Sequence, residues 1–180
     1  SLLVWKPEEL ADLNKDGEPY MVSTAGGNSD ANPGCEPDKD YFEKFSPEAR
    51  QVLDEVAPRM VTIRTLDLGG DKIFPNAVFA NEANPALGVR AIRYCLQNPE
   101  VFEPQIAGLL RAATRGNLRI MLPMISGLDE VRAARETIDR VKRRLVREHK
   151  EFRDDVPIGA MIEIPSAVVI ADLLAREVDF

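Results

Sequence analysis

Three short apolar segments of this chain alternate with longer segments of helical periodicity, and few folds accommodate that order. The apolar segments have the length and composition of buried strands and cover residues 60–66, 118–124 and 158–164. The helical segments cover residues 86–97, 100–115, 129–152 and 167–177. Strands that alternate with helices pair in parallel, with the helices packed on the sheet. The sequence therefore predicts an α/β fold with a parallel sheet.

The helix predicted over residues 129–152 has the clearest pattern. Its apolar residues step by three and four positions and form one buried stripe, made of Val131, Ala134, Ile138, Val141 and Leu145. Ser126 is predicted as the N-cap, because Asp129 follows three residues later as in a capping box. The basic residues 142–147 are interleaved with acids on the polar side of this helix, which predicts a solvated outer face.

The N-terminal part of the chain lacks this alternation. Residues 1–22 include a short helix candidate, because Pro7 and the acids after it suit the first turn of a helix. Residues 23–40 are polar and rich in glycine and proline, which predicts a loop or disorder. A further helix is predicted to begin at Ser46, with Pro47 in the first helical position. We therefore divide the chain into an N-terminal segment, 1–45, and a domain, 46–180.

Composition excludes several classes of protein. The 180 residues carry a net charge of −7, which argues against nucleic acid as a partner, because phosphate backbones are bound by basic faces. No apolar run approaches the roughly 20 residues of a membrane-spanning helix. Two cysteines form neither a disulfide framework nor a metal cluster, so a reduced, cytoplasmic setting is expected. Residues 177–180 have the pattern of a strand beginning, and we expect the chain to be a fragment.

Charged residues follow the predicted strands at three places. The first strand runs into RTLDLGGDK at residues 64–72, and Arg64 lies on the face opposite Val61 and Ile63. Paired glycines let an anion approach the backbone closely. From these residues alone, binding of an anion by Arg64 and an ion pair with Asp67 or Asp71 are equally well supported.

The second motif is NPALGVRAIR at residues 84–93, where a turn precedes a helix and Arg90 lies at the helix start. The third is GAMIEIPSA at residues 159–167. Strand alternation separates Glu163, with Gly159 and Met161, from an apolar face of Ile158, Ala160, Ile162 and Ile164. Glu163 is therefore predicted at the carboxyl end of a strand and on the inner face. An ion pair with a structural arginine is the alternative for Glu163.

The order and spacing of these three motifs resemble the phosphoenolpyruvate-binding barrel of the Enzyme I family of phosphoenolpyruvate–protein phosphotransferases. The resemblance covers roughly residues 57–180. It departs from the family motif at Val89, where the family has tryptophan. It implies a partial (β/α)₈ TIM barrel of the phosphoenolpyruvate/pyruvate-binding superfamily, about half of the barrel, within residues 46–180.

The resemblance also implies a function. Arg64 and Arg90 fall on substrate arginines of the family, and Glu163 falls on a carboxylate ligand of Mg²⁺. The family transfers the phosphoryl group of phosphoenolpyruvate to a protein histidine in the bacterial sugar phosphotransferase system. Its partner is the phosphocarrier protein HPr, and a homodimer is implied for the full enzyme. The family's acceptor histidine, second acidic ligand and catalytic cysteine have no match here, so we expect no catalytic residue within the chain and no phosphoryl transfer by it alone.

Other interpretations stay open at the level of sequence. Phosphoenolpyruvate synthase and pyruvate phosphate dikinase use related barrels, and lyases that act on pyruvate-like enolates also place carboxylates around Mg²⁺. A non-catalytic barrel remnant that serves as a binding or dimerisation module is a further alternative. His149, the single histidine, is predicted to be an ordinary surface residue, and Cys95 is predicted to be packed rather than reactive.

Overall fold

The computed structural model describes residues 20–23, 41–67 and 88–180. In chain order, the elements are β1 (Tyr20–Ser23), α1 (Tyr41–Val56), β2 (Val61–Arg64), α2 (Ala91–Gln97), α3 (Pro99–Ala112), a 3₁₀ turn (Ala113–Arg115), β3 (Leu118–Leu122), α4 (Leu128–Arg147), β4 (Ile158–Ala160), α5 (Pro165–Val169) and α6 (Ala171–Leu174). Within the described ranges, no helix is long and apolar enough to cross a membrane.

The four strands form one parallel sheet in the order β1-β2-β3-β4, which is also their order in the chain. The last residues extend the sheet beyond β4, because the amide of Asp179 donates to the carbonyl of Ile158 at 2.8 Å and the amide of Ala160 donates to the carbonyl of Phe180 at 3.2 Å. The predicted α/β class with parallel strands is therefore confirmed.

One face of the sheet forms the core with the helices. Val61 and Ile63 of β2 are buried there with Ile120 of β3, because alternate residues of a strand share a face. The helices contribute large side chains such as Phe102 of α3, which has no exposed surface. The predicted apolar stripe of α4 is confirmed, since all five of its residues belong to the buried core.

The other face of the sheet carries polar and charged side chains. Nε of Arg119 donates to Oγ1 of Thr62, across the β2–β3 pair, at 2.7 Å. The Arg119 guanidinium also lies over the Phe180 ring, 4.2 Å from its centroid. Gly159 lies beneath that ring, and a Cβ atom there would come within 2.5 Å of it, so a larger residue would displace the Phe180 ring. Arg64 lies two residues after Thr62 in β2. It is therefore on this same face, at the carboxyl end of the sheet.

Several predicted boundaries are wrong. α1 begins at Tyr41 rather than Ser46, so Pro47 lies inside the helix at the loss of one hydrogen bond. The predicted loop of residues 23–40 begins one residue too early, because Ser23 is the last residue of β1, which pairs with β2. The short helix candidate near Pro7 and residues 24–40 of the predicted loop lie outside the described residues.

The strand predicted over residues 158–164 is also too long. β4 ends at Ala160, and Ile162, expected under the helices, is 46% exposed. The backbone leaves the strand between Ala160 and Pro165, the residue that opens helix α5. The segment predicted as one helix over 167–177 forms the two short helices α5 and α6, and the helix predicted over 129–152 ends at Arg147.

The start of α4 differs from the predicted capping box. The helix begins at Leu128 with Gly127 in the N-cap position. Ser126 does not cap it through Asp129. Instead, the amide and the hydroxyl of Ser126 donate to the Glu130 carboxylate. Glu130 is the third helical residue and reaches back across the helix start, as the acid of a capping box does, but to the residue before the N-cap.

The packing predicts that Phe102→Ala lowers the free energy of unfolding by about 3–5 kcal/mol, because it removes a fully buried aromatic ring and leaves a cavity. Val146→Ala on α4 is the control, since Val146 is 61% exposed and its loss changes the free energy by about 0.5 kcal/mol or less. Urea unfolding monitored by circular dichroism compares the two variants. Equal losses in both would contradict this core.

Candidate functional site

The carboxylate of Asp67 contacts both predicted arginines. Its Oδ1 accepts a hydrogen bond from Nη2 of Arg90 at 2.9 Å, and its Oδ2 lies 3.3 Å from Nη1 of Arg64. The Asp67 side chain is 10% exposed, and the two arginine side chains are 22% and 23% exposed. Arg64 and Arg90, 26 residues apart in sequence, therefore meet at one carboxylate at the end of β2.

The segment after β2 is fixed to its neighbours on both sides, which explains the position of Asp67. The amide of Thr65 donates to the carbonyl of Met121 at 3.0 Å. The amide of Leu66 donates to the buried side chain of Gln105 in α3 at 3.1 Å. Asp67 is thus held by backbone contacts to β3 and α3 rather than by the arginines alone.

Arg90 reaches Asp67 from the residue before α2. Its backbone is extended, and Ala91, which follows it, has φ of 48° and is fully buried. A left-handed conformation at a residue with a side chain costs of order 1–3 kcal/mol and persists where the surrounding structure enforces it. The turn that directs Arg90 towards Asp67 is therefore strained.

Glu163 lies in the turn between β4 and α5. Its Oε1 accepts a hydrogen bond from the amide of Met124 at 2.7 Å, and Met124 follows β3 with φ of 58°. Glu163 is exposed, so the other carboxylate oxygen can bind a ligand. The sequence predicts the position of Glu163 from alternation along a strand. That reason does not apply, because β4 ends three residues before Glu163.

A small apolar cluster joins the two parts of this region. It consists of Ala91, Met124 and Ile164, which are buried together. Ala91 follows Arg90, and Ile164 follows Glu163. Ala91 and Ile164 therefore pack together at the edge where β2, β3 and β4 end. They are the residues that follow the predicted substrate arginine and the predicted metal ligand.

The charges at this edge suit an anion and a cation side by side. Two guanidinium groups share one carboxylate, so Arg64, Arg90 and Asp67 together carry one excess positive charge. Nε of Arg90 is buried and has no acceptor among the described residues. Arginine forks of this kind bind phosphate and carboxylate groups bidentately.

Glu163 is compatible with Mg²⁺ as a single protein ligand. The ion usually binds through one or two carboxylates and completes its shell with water and substrate phosphate. In the described ranges, no group of three or more His, Cys, Asp and Glu side chains could hold a metal by itself.

Two other residues are not part of this region's chemistry. Burial, with a smaller contribution from the charge of Asp67, raises the pKa of the Cys95 thiol to about 12, so the thiol stays protonated near neutral pH. The prediction that Cys95 is packed is confirmed. His149 is exposed just past the end of α4, as predicted.

Sequence reasoning missed two contributors to this site. The sequence predicts Asp67 only as a possible ion-pair partner of Arg64 and carries no signal for its contact with Arg90. Met124 has no sequence signal, because its role depends on its amide. Asp71, the other partner proposed for Arg64, lies outside the described residues.

Comparison with known proteins identifies the class. Residues 36–180 match the family described as PEP-utilising enzyme, PEP-binding domain, and the chain belongs to that family. The resemblance found in the sequence motifs is confirmed.

Its relatives include phosphoenolpyruvate-protein phosphotransferases. The chain is 43% identical over 143 residues to that of Staphylococcus epidermidis, covering 79% of this chain and 24% of the relative. It is 47% identical over 131 residues to that of Bacillus subtilis, covering 73% and 23%. The Listeria monocytogenes protein is 43% identical over 143 residues, covering 79% and 24%. The chain thus spans about a quarter of the length of these relatives.

The shared carboxylate predicts that Asp67→Ala lowers the free energy of unfolding by about 1–3 kcal/mol, because two largely buried guanidinium groups lose a common acceptor. The control is Asp54→Ala, which removes an ion pair with Arg115 that is half exposed on both sides and worth about 0–1 kcal/mol. Urea unfolding at low and high salt measures both. A loss no larger at Asp67 than at Asp54 would contradict the bridging role.

Proposed function

We propose that this chain is the phosphoenolpyruvate-binding part of a phosphoenolpyruvate–protein phosphotransferase. The proposed reaction moves the phosphoryl group of phosphoenolpyruvate to a protein histidine of the sugar phosphotransferase system. The observation that carries the proposal is the meeting of Arg64 and Arg90 at Asp67, at the carboxyl end of the strands. Barrel enzymes carry their active sites at that end.

Arg64 and Arg90 would bind the substrate's anionic groups. Phosphoenolpyruvate has a phosphate and a carboxylate on three carbons, and planar guanidinium groups donate paired hydrogen bonds to either. Asp67 would hold both arginines in position before the substrate arrives, so that little side-chain entropy is lost on binding.

Glu163 would hold Mg²⁺ beside the substrate phosphate. When bound, the ion neutralises charge on the phosphoryl oxygens and helps to orient them. The Met124 amide keeps one oxygen of Glu163 engaged, which orients the other. Transfer of a phosphoryl group depends largely on such positioning and charge stabilisation.

The architecture supports a wider proposal. Parallel strands in chain order, with the last residues pairing on the outer side of β4, support about half of a (β/α)₈ barrel that combines residues 46–180 with strand β1, which precedes residue 46. HPr as partner, a homodimer in the full enzyme and a cytoplasmic location are part of the same proposal. The names of the relatives favour it over a dikinase, a lyase or a non-catalytic remnant.

We predict that Arg64→Ala and Glu163→Gln, made in the natural full-length protein, abolish phosphoryl transfer while the fold stays intact. Losing hydrogen bonds to a charged group costs about 1.5–3 kcal/mol each, so the affinity for phosphoenolpyruvate should fall by roughly 10- to 100-fold in Arg64→Ala. Calorimetric titration with phosphoenolpyruvate and Mg²⁺ measures the affinity, and circular dichroism measures the fold.

The matched control for Arg64→Ala is Arg140→Ala, which removes an arginine on the outer side of α4. The matched control for Glu163→Gln is Glu148→Gln, which neutralises a carboxylate at the far end of α4. Both should bind phosphoenolpyruvate as the unsubstituted protein does. Full turnover by Arg64→Ala would contradict the assignment. So would binding of phosphoenolpyruvate by Glu163→Gln that stays as tight and as dependent on Mg²⁺ as in the unsubstituted protein.

A further inference from the structure

Glu130 occupies a junction between two parts of the candidate site. Its Oε1 accepts a hydrogen bond from Nε of Arg93 in α2 at 3.1 Å. Its Oε2 accepts from the amide of Ser126 at 2.6 Å and from the Ser126 hydroxyl at 3.0 Å. The side chains of Glu130 and Arg93 are 19% and 23% exposed. One carboxylate therefore joins α2 to the loop between β3 and α4.

On the α2 side, this junction reaches Arg90. Besides Glu130, the Arg93 guanidinium donates from Nη1 to the carbonyl of Gly88 at 3.2 Å. Gly88 lies two residues before Arg90 and Arg93 lies three residues after it, so this contact closes the turn from which Arg90 extends. A displaced Arg93 would release that turn, whose strained residue is Ala91.

On the other side, the junction reaches Glu163. Ser126 lies two residues after Met124, whose amide donates to Glu163. The carbonyl of Ser126 accepts a hydrogen bond from the hydroxyl of Ser166 in α5 at 2.8 Å. Ser126 thus holds both the loop that orients Glu163 and the helix that follows it.

We propose that Glu130 is a positioning residue that fixes the distance between Arg90 and Glu163. The inference rests on the proposed function, since it concerns how the substrate arginine and the metal ligand are held together. Phosphate oxygens shared between an arginine and Mg²⁺ need both partners at a set separation, and an error of about 1 Å can cost 100-fold in rate. In this proposal, Glu130 contacts neither the substrate nor Mg²⁺. Its effect passes through Arg93 on one side and Ser126 on the other.

The test uses Glu130→Ala and the isosteric Glu130→Gln in the natural full-length protein. The glutamine keeps the shape and one oxygen acceptor, but its NH₂ group must face either Arg93 or Ser126, which are donors. The matched control is Glu103→Ala. Glu103 also bridges two arginines, Arg140 at 2.7 Å and Arg144 at 3.1 Å, and it is also 19% exposed. Its contacts lie between α3 and the later turns of α4, about 15 Å or more along the helix from Glu130.

Affinity for phosphoenolpyruvate with Mg²⁺, measured by calorimetry, should fall about 10- to 100-fold in Glu130→Ala, as for other residues that orient a ligand-binding group. Glu130→Gln should give a smaller loss, and Glu103→Ala should bind normally. Thermal midpoints of the two alanine variants should be similar, which separates positioning from general destabilisation. Arg93→Ala should weaken binding too, and the double variant with Glu130→Ala should be no weaker than the worse single variant.

Four results would overturn the inference. Glu130 variants that bind within about twofold of the unsubstituted protein would show that the junction does not matter for binding. An equal loss in Glu103→Ala would show a stability effect. If Glu130→Ala does not fold, normal binding by Glu130→Gln decides against the inference and weakened binding decides for it. No binding by the unsubstituted protein would overturn the proposed function, and with it this inference.

Discussion

The carboxylate of Asp67 draws together two guanidinium groups that belong to separate parts of the chain. Arg64 ends a strand and Arg90 precedes a helix, and each is less than a quarter exposed. Without a shared acceptor, two such charges would repel each other in a region that water screens poorly. This contact ties the start of α2 to the end of β2.

Backbone hydrogen bonds of the loops hold the remaining parts of the site. The amide of Leu66 bonds to the side chain of Gln105, and the amide of Met124 bonds to Glu163. Among the described residues other than glycine, left-handed conformations occur at Ala91, next to Arg90, at Met124, whose amide binds Glu163, and at His149, past the end of α4. Strain that is enforced by a packed core is a common property of sites prepared for a ligand. The cluster of Ala91, Met124 and Ile164 is the core beneath this site.

Much of the fold could be predicted from periodicity, because β2, β3 and α4 bury residues at regular spacings. Boundaries that depend on tertiary contacts could not. β1 has four residues and is identified by its pairing with β2, and α1 extends past a strong local start signal at Ser46 and Pro47. β4 stops at Ala160 although the apolar alternation continues to Ile164.

The candidate site divides in the same way. Motif order indicated Arg64, Arg90 and Glu163, because each is marked by its local sequence. Asp67 and Glu130 each act by joining residues that are distant in sequence, and no spacing along one element reveals such a contact. The amide of Met124 acts through a backbone conformation that its residue type does not favour.

The central claim is that Arg64, Arg90 and Glu163 bind one ligand together. The most direct measurement is a crystal structure of the natural full-length protein with phosphoenolpyruvate and Mn²⁺, which replaces Mg²⁺ and is located by its anomalous scattering. We predict a metal peak at about 2.0–2.2 Å from Glu163, shared with a phosphate oxygen whose group also contacts Arg64 and Arg90. A metal bound away from Glu163, or phosphoenolpyruvate that contacts neither arginine, would contradict the account.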